Sequence, residues 1–217
     1  MNQIKCIDAM EGLKSIPANL IDCCFTSPPY WNLRSYGSKK EFGCAETPEE
    51  FVNDLCDYFD EVLRCLKEAG TCFVNLGDTY LGSGKGVWKG REKANKESFQ
   101  FQEKPKEKLG GWRKPKQLAL IPFRFAIEMQ NRGWILRNNI VWHKENAVPQ
   151  SVNDRFTQDW ESIFMFTKSK KYNFKKQLEP TKDGKSTRQV RSVWSINTSK
   201  NKTIHTLNKK LRHLWNY

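Results

Sequence analysis

An α/β fold is what this 217-residue chain predicts, on three observations. Short apolar runs alternate with segments of helical period, the runs stop at glycine or proline, and the order strand, helix, strand, helix, strand suits a parallel sheet with crossover helices. The elements follow in chain order. Ile4-Lys5-Cys6-Ile7-Asp8 reads as a short strand and Ala9 to Ile16 as a helical turn or two. Leu20-Ile21-Asp22-Cys23-Cys24-Phe25, bounded by Pro17-Ala18-Asn19 and by Pro28-Pro29, reads as a buried strand. From Pro48 to Lys67 the residues Phe51, Leu55, Phe59, Val62 and Leu66 recur at helical spacing, with Thr47 as the N-cap candidate and Gly70 as the stop. Thr71 to Leu76 is the next strand, Gln117 to Arg132 a second amphipathic helix stopped by Gly133, and Trp134 to His143 a further strand.

Composition narrows the partners. The net charge of +13 and pI of about 9.4 favour a polyanion, because Lys and Arg release counterions from phosphates on binding. From residue 151 onward 15 Lys/Arg face 5 Asp/Glu, so the last third is the part that would face the polyanion. Seven cysteines without paired Cys-x-x-Cys spacing suggest neither a disulfide framework nor a zinc site, and read as reduced, buried fillers. No signal peptide or apolar run of about 20 residues is present, which leads to the expectation of a cytoplasmic protein. Gly82-Ser83-Gly84-Lys85-Gly86 lacks the spacing of a nucleotide phosphate loop. The polar stretch 82–116 is long for a plain connection; it is read either as a mobile basic flap that orders on DNA or as an insertion.

The most informative segment is Thr26-Ser27-Pro28-Pro29-Tyr30. Each proline holds φ near about −65° and lacks an N–H, so the chain must leave the sheet as a stiff loop with free carbonyls. A hydroxyl, a fixed carbonyl and an aromatic face at a strand end suit the grip of a flat base through its exocyclic amine. In parallel sheets such sites lie beyond the C-terminal strand ends, where Gly77-Asp78-Thr79 also falls.

Thr26 to Gly37 resembles the catalytic motif and following segment of the permuted bacterial and phage DNA amino-methyltransferases, and its Ser-Pro-Pro-Tyr form is similar to that of the cytosine-N4 enzymes. Gly70 to Tyr80, Ile121 to Lys144 and Trp160 to Lys168 resemble later segments of that family in the same order. The resemblance implies a Rossmann-like S-adenosylmethionine-dependent sheet, with S-adenosylmethionine as methyl donor and double-stranded DNA as partner. It implies catalytic roles for Ser27, Pro28, Pro29 and Tyr30, and cofactor contacts for Asp8, Thr26 and Asp78. Asp8 also reads as a helix cap, and Asp78 as a turn residue. Trp31, Asn32, Arg34, Tyr36, Lys144, Arg155, Arg188 and Arg191 are the DNA-binding candidates, with core packing an equal account of Trp31. The implied division is a catalytic domain over 1–145 and a basic hairpin and recognition segment over 146–217.

The glycine-rich Asp-Pro-Phe-x-Gly-Ser-Gly turn that cradles the donor's methionine in this family has no counterpart here. The expectation is therefore a sheet incomplete at its C-terminal end, completed by self-association or by a second subunit, or else a DNA-binding half that cannot methylate alone. A further reading is that another segment has taken over cofactor binding. Adenine-N6 methylation is the alternative within the family, and a non-catalytic RNA-binding domain the alternative outside it.

Overall fold

A computed structural model describes residues 4–31, 45–82 and 108–198. Its elements are α1 (Ala9–Lys14), β1 (Ile21–Thr26), α2 (Pro48–Cys65), β2 (Leu66–Leu76), α3 (Ile121–Asn131), β3 (Ile135–His143), β4 (Trp160–Thr167), β5 (Leu178–Pro180), β6 (Thr187–Gln189) and β7 (Val193–Ser195). Five strands form one sheet in the order β1-β2-β4-β3-β7, and β5 pairs with β6 as a separate antiparallel hairpin.

The sheet is mixed where the element order suggested a parallel one. β1 runs parallel to β2 and β3 parallel to β7, while β4 lies antiparallel between β2 and β3. The reversal has a geometric consequence. The N-terminal end of β4 meets the C-terminal ends of β2 and β3, so Trp160, Glu161 and Ser162 join the edge that carries the Ser27–Tyr30 loop.

Two apolar faces hold the sheet. On one, α2 and α3 bury Phe51, Leu55, Phe59, Phe125 and Met129 against Val74, Leu76, Phe164 and Phe166. Edge-to-face ring pairs, Phe59 on Phe125 at 5.2 Å and Phe125 on Phe166 at 6.0 Å, add to the burial. On the other, Phe73, Ile140, Trp142, Ile163, Met165, Trp194 and Ile196 form a second cluster. β2 and β4 contribute to both clusters, and for that reason read as continuous apolar runs rather than alternating ones.

Local chemistry sets the helix ends. Thr47 Oγ1 accepts from the Glu50 amide at 3.2 Å while the Glu50 carboxylate accepts from the Thr47 amide at 3.2 Å, a reciprocal capping box ahead of Pro48. Thr47→Ala is expected to cost about 1 kcal/mol, read as a lowered denaturation midpoint at unchanged slope.

Four expectations shift. Residues 4–8 form no strand: Ile4 is fully exposed, no neighbouring strand pairs with it, and Asp8 instead starts α1. Helix α2 stops at Leu66, whose extended backbone passes directly into β2, and Gly70 lies inside that strand against the Leu66 side chain. Helix α3 begins at Ile121 rather than Gln117, because Leu120 takes a left-handed φ of 58° and the preceding residues pair with the 79–81 turn. Residues 108–116, the end of the stretch read as a flap, pack on α2: Trp112 Nε1 donates to Glu49 at 2.9 Å and the Arg124 guanidinium covers the Trp112 ring at 3.9 Å. Residues 83–107, the rest of that stretch, lie outside the described residues.

Candidate active site

The loop Ser27–Tyr30 leaves the C-terminal end of β1 beside the end of β2, where Thr26 aligns with Val74. The two prolines keep the turn out of the sheet, and Tyr30 folds back over the end of β2. A Cβ at Gly77 would stand 2.6 Å from Tyr30 Cε2 and 2.9 Å from Cδ2, so the ring lies on bare backbone that only glycine provides.

Four polar side chains from four segments converge on one network around the Tyr30 hydroxyl. The hydroxyl lies 2.8 Å from Glu161 Oε2 and 3.0 Å from Asn75 Oδ1. Asn75 Nδ2 donates to Glu161 Oε2 at 3.1 Å and to the Ser162 carbonyl at 3.2 Å, two acceptors that determine which way the amide points. Ser27 Oγ stands 3.4 Å from Asn75 Oδ1 and 3.4 Å from the Tyr30 hydroxyl. The Lys144 ammonium pairs with the other Glu161 oxygen and sits 4.7 Å from the centre of the Trp142 ring.

The protons can be counted through this network. The single Tyr30 proton goes to the carboxylate, the stronger acceptor. That leaves Asn75 Oδ1 and the Tyr30 oxygen, each 3.4 Å from Ser27 Oγ, as the acceptors for the Ser27 proton. Ser27 Oγ, having spent its hydrogen inward, turns its lone pairs outward as an acceptor. That state suits the N–H of an incoming amine.

Other predicted residues fall elsewhere. Asp8 caps α1, accepting from the amides of Met10 at 2.9 Å and Glu11 at 3.1 Å. Asp78 follows Gly77 directly; one oxygen accepts from the Thr79 amide at 2.9 Å and the Ile121 amide at 3.0 Å, starting α3, and the other oxygen is buried without a partner. Burial pushes the Asp78 carboxyl above its usual range, against those amides, which lower it. The folded state therefore binds a proton that the unfolded chain releases. Stability rises as pH falls through the raised value toward the ordinary one. Relative to Asp78→Asn, the native chain is expected to gain stability on moving from neutral to about pH 4.5, measured as the difference in denaturation midpoints.

Trp31 needs correction as a DNA contact. It is 2% exposed in the helix-side core and its indole N–H donates to the Ala45 carbonyl at 2.8 Å, which leaves it no face for nucleic acid. Lys144 is engaged with Glu161 rather than free at the surface. Arg155 stacks on Tyr80 at 3.9 Å and donates to Gln150 at 2.7 Å, between β3 and β4 at the same edge of the sheet. Arg188 and Arg191 share the Glu179 carboxylate at 2.9 and 3.2 Å, on the β5–β6 hairpin and just beyond it. Asn32, Arg34 and Tyr36 lie outside the described residues. A cleft of about 1360 Å³ opens on the second face of the sheet between Phe73, Tyr172, Arg191 and Trp194. It contains none of the Ser27–Tyr30 cluster, and the chemistry locates the site better than the volume does.

Asn75 and Glu161 are not singled out by motif or periodicity. Asn75 interrupts the apolar run from Cys72 to Leu76 and Glu161 stands just ahead of the run from Ile163 to Phe166, and a polar residue at such a place is the signal that could have found them. The cysteines among the described residues, by contrast, form no metal-holding group. Cys56, Cys65 and Cys72 are buried and burial pushes the Cys23 and Cys56 thiols up to about 12, though Cys6 is exposed. Among the described residues no His/Cys/Asp/Glu group is placed to hold a metal ion.

This architecture is shared by solved DNA methyltransferases. PvuII DNA methyltransferase, cytosine-N4-specific, superposes with a TM-score of 0.58 at 22% identity over 95% of this chain and 61% of that one. The Thermus thermophilus protein TTHA0409, a putative DNA modification methylase in complex with S-adenosyl-L-methionine, does so with a TM-score of 0.57 at 21% identity, over 95% of this chain and 72% of its own. In sequence, Type II methyltransferase M.SmaI of Serratia marcescens is 39% identical over 195 residues, 88% of this chain and 65% of that protein. M.XycI of Xanthomonas campestris pv. cyanopsidis is 42% identical over 193 residues, 88% of this chain and 63% of that protein. The DNA methylase family model N6_N4_Mtase matches residues 21–214, and the chain belongs to that family. It spans somewhat under two thirds of the length of these two relatives.

Proposed function

We propose that the chain carries the catalytic part of a DNA amino-methyltransferase that places a methyl group on the N4 of a cytosine swung out of duplex DNA, as in restriction-modification or phage DNA protection. The observation that carries the reading is the Ser27 hydroxyl, held at a strand end 3.4 Å from both Asn75 Oδ1 and the Tyr30 hydroxyl. Ser27 Oγ and the Pro28 carbonyl accept from the 4-amino group, and the Tyr30 ring stacks on the base. Those contacts draw the nitrogen lone pair out of conjugation and aim it, and the amine sheds its proton to water after transfer. Positioning of this kind can supply about 7 to 11 kcal/mol of a barrier. No general base is required.

S-adenosylmethionine supplies the electrophilic methyl group, as the family and the cofactor in the Thermus complex suggest. Asp78 fits a role beside it, since its buried second oxygen is an acceptor without a donor. Thr26 at the end of β1 and the second oxygen of Asp8 are the other cofactor candidates. Self-association or a second polypeptide carrying the glycine-rich half completes that site. The division expected at residue 145 does not hold for the sheet, since β4 and β7 lie beyond it and Glu161 belongs to the site; the target-facing role is left to the segments around them, with Arg155, Arg188 and Arg191 on DNA phosphates or base edges. The Ser-Pro-Pro-Tyr form and the PvuII likeness favour cytosine; adenine N6 is the second reading, because the family spans both amines.

The test incubates the purified chain with mixed-sequence duplex and S-adenosylmethionine, then digests to nucleosides for mass spectrometry. 4-Methylcytosine that depends on Ser27 supports the reading. 6-Methyladenine overturns the base assignment, and no methylated base rules out transfer by this chain alone.

A further inference from the structure

We infer that Glu161 and Lys144 are a positioning pair for Tyr30, a role that rests on the proposed transfer reaction and assigns Lys144 to the site rather than to DNA. Four observations lead there. The Tyr30 ring is pressed against Gly77, so its orientation is set at one side by backbone contact. Its hydroxyl is set at the tip by Glu161 Oε2 at 2.8 Å, so the ring has two fixed points. The same carboxylate oxygen holds Asn75 Nδ2 at 3.1 Å, and Asn75 in turn aims the Ser27 hydroxyl. Finally the carboxylate is largely withdrawn from water, its side chain 15% exposed, and Lys144, 20% exposed, neutralises it.

A carboxylate in that setting would be costly without its cation, since an unpaired charge removed from water is poorly compensated. The Lys144 ammonium, braced against Trp142, provides that compensation and leaves Glu161 Oε2 free for two donors. One carboxylate thereby orients both groups that would grip the base, the ring directly and the hydroxyl through Asn75. The action of Glu161 on Ser27 is therefore indirect. It holds the tyrosine and the amide still.

The experiment labels the six tyrosines of the full chain with carbon-13 at the ring carbon bearing the hydroxyl. The Tyr30 resonance is identified by its loss in Tyr30→Phe. Glu161→Ala, and Lys144→Met to a smaller extent, are expected to displace that resonance, while Lys185→Met on the β5–β6 turn leaves it in place. The isosteric Glu161→Gln, made together with Lys144→Met so that its amide NH2 does not face an unpaired ammonium, guards against a variant that fails to fold, and its amide oxygen still accepts from Tyr30. In methyl transfer, Glu161→Ala is expected to lower kcat by about a hundredfold with little change in KM, and Glu161→Gln with Lys144→Met to recover most of that loss. An unmoved Tyr30 resonance in Glu161→Ala overturns the inference, as does equal loss of turnover in that double variant and in Glu161→Ala, which would mark Glu161 as a proton acceptor. Should the native chain transfer no methyl group, transfer by this chain alone is ruled out while the resonance still decides the pairing.

Discussion

Ser27→Ala is expected to lower formation of 4-methylcytosine by about a hundredfold or more, with the fold intact. The magnitude follows from the loss of a preorganised polar contact to a reacting group. The side chain removed is small and lies at the mouth of the site, so stability should move by no more than about 1 kcal/mol. Asn75 keeps both acceptors on Nδ2, and the Tyr30 hydroxyl at 3.0 Å can turn its proton from Glu161 to the vacated Oδ1. Kinetics and denaturation on the same preparation separate these effects. Turnover within a few-fold of the native chain would remove Ser27 from the mechanism.

Gly77→Ala should be nearly as damaging by a different route. The added methyl would meet Tyr30 at 2.6 and 2.9 Å, closer than carbon atoms approach, so the ring must swing away. That motion breaks its reach to Glu161 and Asn75. A displacement near 1 Å at a reacting centre costs about a hundredfold in rate, and the overpacking adds roughly 1–3 kcal/mol of destabilisation. If Gly77→Ala acts through the ring, its loss of turnover and that of Tyr30→Leu should not add in the double variant. Additive losses would show that Gly77 matters for some other reason.

Much of the fold is legible in the sequence alone. The capping box at Thr47 and Glu50, the apolar stripe of α2 and the strand ending at Thr26 are local patterns, carried by periodicity and by hydrogen bonds that span only a few residues. The Ser-Pro-Pro-Tyr loop is local as well, because proline restricts its own backbone and that of the residue before it. Where the local pattern misleads, distant partners decide. Residues 4–8 have strand composition but, among the described residues, no strand beside them, and α3 starts where the Asp78 carboxylate receives the Ile121 amide. Trp31, an aromatic next to the Ser27–Tyr30 loop, is a reasonable DNA contact until its 2% exposure is known.

The site divides in the same way. Ser27, Pro28, Pro29 and Tyr30 are contiguous, and their chemistry can be read from their types. Asn75 and Glu161 are separated by 86 residues and Lys144 lies 17 residues before Glu161; they meet because β4 inserts antiparallel between β2 and β3, with Leu76 opposite Ser162 and Trp142 opposite Glu161. Strand order and register minimise exposed apolar surface over the whole sheet, and an apolar strand such as Ile163–Thr167 satisfies either neighbour by composition alone. The Ser27–Tyr30 loop is therefore written locally in the chain. The carboxylate that steadies it is brought there by long-range packing, whose energy is spread over many contacts and belongs to no short segment.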